Sequence, residues 1–147
     1  MGMFDDAFGS ENKPAKLNKE VAFLGILMLA DYSDGTVGDD EMQAFITTLA
    51  RMKLYRDLSG DQINRLIDRG NKHIRQAGPE EALKQFAAAL PEPLHRAAFA
   101  NAVNQVLADG VVEDEEKEFI NNLRRALGLA GDDANMIAKV IMWKNQG

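Results

Sequence analysis

The 147-residue chain has the length of one ordinary domain, enough to bury roughly two thirds of its unfolded surface. It contains no cysteine, which excludes disulfides, zinc–thiolate centres and thiol nucleophiles and fits a reducing cytoplasm. A formal net charge of −6 at pH 7 argues against non-specific nucleic-acid binding.

Residues 1–16 mix Gly, Ser, Asn, Pro and charge without a period and read as a mobile tail, leaving a single domain over 17–147. Met1-Gly2 does not open a myristoylation signal, because Asp6 stands where Ser or Thr is wanted. Asn18 can cap a first helix that runs to about Ser33 and is apolar on nearly every side, the mark of a buried helix. Its apolar run, Val21 to Ala30, is too short to cross a bilayer and lacks the layout of a signal peptide. Nothing else in the chain indicates a transmembrane segment or peripheral membrane association.

A second helix, from about Asp39 to Tyr55, places Met42, Phe45, Ile46 and Leu49 at i, i+3, i+4, i+7. Ser59 with Gln62 forms a capping-box signature for a third, whose Ile63, Leu66, Ile67 and Ile74 share a face. Pro79 opens a short fourth helix ending near Leu90. Pro91 and Pro93 mark a break before a fifth, which runs to about Ala108 and whose alanines predict close approach of a neighbour. The sixth spans about Asp114 to Leu127, stopped by Gly128 or Gly131, and the seventh starts near Asp132. No stretch alternates with period two long enough for a strand. The expected class is all-α, with about seven helices.

The chain repeats itself. Asp34-Gly35-Thr36-Val37-Gly38-Asp39-Asp40-Glu41 matches Asp109-Gly110-Val111-Val112-Glu113-Asp114-Glu115-Glu116, each reading D-G-x-V-x-x-x-E. Each copy follows an apolar helix ending in Leu-Ala and precedes a helix containing Phe-Ile. Two helix-loop-helix units related by internal pseudo-symmetry are expected. Five acids and no base fall between Asp31 and Glu41, and six acids with one base, Lys117, between Asp109 and Glu118. The glycine position hints at an EF-hand. Its first ligand positions, however, would be Ala30 and Tyr32, or Gln105 and Leu107, which cannot supply carboxylates to an ion that wants six to eight oxygens.

These residues resemble instead the TerB-like tellurite-resistance family, whose hallmark is A-D-G-x-V-x-x-x-E between helices, often in two halves. The resemblance covers roughly Leu17 to Ile141. The second copy is close, from Leu107-Ala108-Asp109-Gly110 through Glu116 to Leu127-Gly128-Leu129. In the first copy Ala30-Asp31 is separated from Asp34-Gly35, so either aspartate can stand for the family's acid. The resemblance implies an all-helical fold and a non-enzymatic stress-response role, together with a divalent cation held by acidic residues.

Two readings of the loops stay open. In the first, Gly35 and Gly110 are helix C-caps, Val37 and Val112 tuck into the core, and the acids that follow meet free N–H groups at helix N-termini. The protein is then a structural interaction domain. In the second, Asp31, Asp34, Glu41, Asp109 and Glu116 hold Ca²⁺, Mg²⁺ or Mn²⁺. Asp34 and Asp109 lie at the negative ends of helix dipoles and face further acids, a repulsion that a hard cation relieves. Arg or Lys from the middle helices is the competing answer.

Elsewhere, Arg65, Arg69 and Lys72 read as a solvated helix face, His73 and His95 as surface or capping residues, and Trp143 as a core plug. There is no P-loop, no G-x-G-x-x-G and no nucleophile motif, so no enzyme activity is expected. Protein partners are expected. Nucleic acid is not.

Overall fold

The computed structural model describes residues 17–31, 39–108 and 112–147. Within them the chain forms seven α-helices and no strand: α1 (Lys19–Asp31), α2 (Asp39–Ala50), α3 (Gly60–Ala77), α4 (Pro79–Ala89), α5 (His95–Leu107), α6 (Asp114–Leu127) and α7 (Gly131–Lys144). A 3₁₀ turn, Glu92–Leu94, joins α4 to α5. The all-helical class expected from periodicity is the class observed.

The fold is organised around α1. Every residue from Val21 to Ala30 is buried, so this helix has no solvent face along that stretch and α3, α4 and α5 enclose it. Helix α2 packs chiefly on α3, α6 bridges α4 and α5, and α7 lies on α5. The two helix-loop-helix units are therefore not packed alike: α6 rests on α5, whereas the principal support of α2 is α3 rather than α1.

Local chemistry starts and stops these helices. Asn18 Oδ1 accepts from Val21 N–H at 2.8 Å and caps α1. Ser59 and Gln62 complete a reciprocal box on α3, with Gln62 N–H donating to Ser59 Oγ and Ser59 N–H to Gln62 Oε1. Gly128 ends α6 in the left-handed region (φ 67°, ψ 27°), where Leu129 N–H reaches back to Arg124 O at 3.1 Å.

Three expectations need correction. Helix α2 ends at Ala50 rather than Tyr55. Bonds of i to i+3 type (Met52 to Leu49, Tyr55 to Met52, Leu58 to Tyr55) wind the chain inward there. Tyr55 is buried as a result, its hydroxyl donating to Glu20 O at 2.7 Å and its ring edge-on to Phe23. His73 is not a surface residue. It is buried, donates from Nε2 to Gln85 Oε1 and lies 5.2 Å from the Phe86 ring. Trp143 is not a core plug: it is 63% exposed. His95, by contrast, acts as the expected cap, its Nε2 donating to Leu90 O at 2.9 Å.

Candidate functional site

The C-termini of α1 and α5 meet at one end of the molecule. Gln105, with its amide turned so that both ends are satisfied, donates to Leu27 O at 3.1 Å and to Asp31 Oδ1 at 3.3 Å. Asp31 is the last residue of α1, and α5 stops at Leu107, with Ala108 N–H bonded to Gln105 O. Both acidic segments thus leave the helical body from the same end. Two C-terminal dipole ends lie together there, a region of negative potential before any side-chain charge is added. This juxtaposition does not follow from either motif alone, because it depends on α1 and α5 packing side by side with their C-termini together.

The expected ligands have different environments. Asp31 is exposed and engaged by Gln105. Glu41 is exposed on the first turn of α2. Glu116 is half-buried and serves α6, its Oε1 accepting the Glu113 N–H at 3.0 Å. That bond satisfies a donor that the helix itself leaves free, which is helix capping by an acid. Val112 packs against the core as expected. Asp34 and Asp109, the acids of the two D-G motifs, lie outside the described residues, as do Gly35, Gly110 and Val37. Among the described residues no three His, Cys, Asp or Glu side chains converge as a metal cage.

Beside this end lies a feature that the sequence reading missed. A groove of about 1260 Å³ opens between α1, α2, α3, α4 and α6. Met28, Leu29, Met42, Ile74, Leu83 and Phe119 give it apolar walls, and Arg75, Lys84, Arg125, Glu80, Glu115 and Glu118 line it with charge of both signs. Met28 and Leu29 belong to the last turns of α1, Met42 to the first turn of α2, and Glu115 to the first turn of α6. The groove therefore begins where the acidic segments meet the helices. Its cations come from α3, α4 and α6.

A family model described as tellurite resistance protein TerB matches residues 20–139, more than four fifths of the chain. The chain is a member of the TerB family. The match begins in the first turn of α1 and ends within α7, so it spans all seven helices. Comparison with curated proteins and with solved structures gives no match. No helix among the described residues of this TerB-family chain is long and apolar enough to cross a membrane.

Proposed function

We propose that this TerB-family protein is a non-enzymatic tellurite- and stress-resistance module of the cytoplasm that binds a divalent cation at its acidic end and engages protein partners. The observation that carries the cation reading is the meeting of α1 and α5 through Gln105 and Asp31, which starts both acidic segments from one place. Two C-terminal dipole ends lie together there beside Asp31, and a hard cation with oxygen ligands is a charge that relieves such a negative region. Asp31, Asp34, Glu41, Asp109 and Glu116 are the ligands under this reading. Ca²⁺, Mg²⁺ and Mn²⁺ fit an all-oxygen set, and a cage without sulfur or imidazole suits them better than a softer ion. The partner surface is taken to be the mixed-charge groove beside the acidic end.

The Glu113–Glu116 bond favours a second reading, in which the acids are helix caps and the domain is purely an interaction module. Calorimetric titration separates the two. Heat of binding with Ca²⁺, Mg²⁺ or Mn²⁺ that disappears in the Asp34→Asn, Asp109→Asn double variant is the expected result. Absence of saturable heat with any of the three overturns the cation reading and leaves the capping one.

A further inference from the structure

The groove beside the acidic end has a direction. Helix α4 runs antiparallel to α1 along it: the Phe86 ring lies against Gly25, while Leu83 lines the groove with Met28 and Leu29. Helix α6 runs parallel to α4, because its end, Leu127-Gly128, lies with His95 and Arg96 at the start of α5, which follows directly on the end of α4. The later residues of α4 and α6 therefore lie toward the end at which the chain enters α1. Lys84 and Arg125 belong to that end of the groove, and Glu80, Glu115 and Glu118 to the other. Both cations are exposed, and neither pairs with a carboxylate among the described residues. Met28, Leu29, Leu83 and Phe119 thus form an apolar floor with two unpaired cations at its entry end.

Residues 1–16 precede the described part of the chain, and their composition divides them in two. Met3, Phe4 and Phe8 bracket Asp5 and Asp6, with no base before Lys13. Segments that stay solvated are poor in aromatic residues, yet this one holds two of the chain's seven phenylalanines. Residues 9–16 are mostly polar, with Gly9, Ser10 and Pro14, the makeup of a linker. An apolar segment with two acids is the complement of an apolar floor with two cations. The reach fits as well. Met28 is about 14 Å along α1 from Lys19. The chain from Phe8 to Lys19 spans roughly 17–20 Å as a flexible coil and up to about 36–40 Å extended. A linker whose mean length matches its span gives a tethered segment its highest effective concentration. The volume of about 1260 Å³ exceeds the roughly 300–1,000 Å³ of small-molecule pockets and suits a stretch of chain.

We propose that residues 3–8 dock in this groove of their own chain, with Met3, Phe4 and Phe8 on the apolar floor and Asp5 and Asp6 at Lys84 and Arg125. The inference rests on the reading of the groove as a docking surface, and it uses neither acidic loop. A protein partner for the groove then has to displace the chain's own segment.

The chain has no cysteine, so Ser10→Cys takes a single nitroxide label beside the segment. In the full chain the label should broaden the amide signals of Leu83 and Asn122 in the groove beyond detection and leave that of Met142 on α7 sharp. Phe4→Ser with Phe8→Ser should bring the groove signals back. Lys84→Glu with Arg125→Glu should do the same, and adding Asp5→Lys with Asp6→Lys to that variant should return the broadening. Sharp groove signals in the labelled chain overturn the proposal. So does broadening that appears only when spin-labelled and isotope-labelled chains are mixed, because it assigns the groove to a second copy's segment. Anilinonaphthalene sulfonate, an apolar anion, separates this failure from failure of the docking surface itself. It should shift the groove signals in the Phe4→Ser, Phe8→Ser variant and far less in the wild type. Equal shifts in both leave the groove as a docking surface and remove residues 3–8 as its occupant. No shift in either overturns the docking surface and the proposal together.

Discussion

Gly25 shows how far one missing side chain decides the packing. A Cβ built there would lie 2.5 Å from Cε2 and Cζ of Phe86, and one at Gly70 would lie 3.1 Å from Leu24 Cδ1, with the Gly25 Cα 4.0 Å away. Helices α1, α3 and α4 therefore close on one point where only hydrogen fits. Gly25→Ala is expected to destabilise the domain by about 1–3 kcal/mol, the usual cost of overpacking, read from urea unfolding. An unchanged midpoint would show that the Phe86 ring can move aside. Tyr55 makes a second test at this scale. Burial, opposed by its backbone contact and assisted by Glu20, raises the pKa of its hydroxyl well above the ordinary phenol value. The folded state thus keeps a proton that the unfolded chain releases. The associated stability is complete below about pH 10 and falls as pH rises beyond it. Tyr55→Phe should cost about 1 kcal/mol at neutral pH for the lost bond to Glu20 and should flatten the decline above pH 10. An equally steep alkaline decline in the variant would assign that decline to other groups. Neither role is legible in the sequence. Gly25 sits in an apolar run like any other small residue, and Tyr55 reads as the end of a helix until its hydroxyl is seen to reach across 35 positions to α1.

Among the elements, the N-terminus of α3 is held by two reciprocal bonds on an exposed turn, so Ser59→Ala should lower stability by about 1 kcal/mol without touching the core. Recovery of wild-type stability in Ser59→Asp, which supplies another cap acceptor, would confirm that the oxygen rather than the residue matters. A full loss with both substitutions would point elsewhere. The same kind of local chemistry explains which boundaries were legible. Helix α6 runs from Asp114 to Leu127 as expected, with Glu113 and Glu116 capping its start and Gly128 its end. Helix α3 starts where Ser59-x-x-Gln62 said it would. The helical reading runs on to Tyr55 because nothing in residues 51–55 breaks helical propensity, whereas the chain turns there in i to i+3 bonds that bury Tyr55. Trp143 was misplaced for a related reason. Its size argues for burial, but the face of α7 that meets α5 is set by Ala134, Ile137, Ala138 and Ile141, and position 143 lies on the opposite side.

Across the whole molecule, the repeated motif identified the elements of the acidic end, but not that α1 and α5 would end side by side. That fact comes from Gln105, a residue outside the repeat. It sets the C-termini of α1 and α5 side by side, and the cation reading has a measurable consequence. A ligand that binds only the native state at 100 times its dissociation constant stabilises by about 2.7 kcal/mol, which for a domain of this size is a rise of several degrees in Tm. Millimolar Ca²⁺, Mg²⁺ or Mn²⁺ should therefore raise the Tm well beyond NaCl of the same ionic strength. Screening acts on exposed charges without regard to a site, so caps alone predict equal shifts for matched salts. The Asp34→Asn, Asp109→Asn double variant should lose the divalent response while its metal-free Tm rises, because the substitution removes two charges from a region already made negative by two helix ends. Asp31→Asn should behave as the double variant does, in smaller measure, since Asp31 shares Gln105 with the same end. If the wild type and the double variant respond alike to divalent ions, the cation is acting elsewhere. The two acidic loops are then helix connections and nothing more.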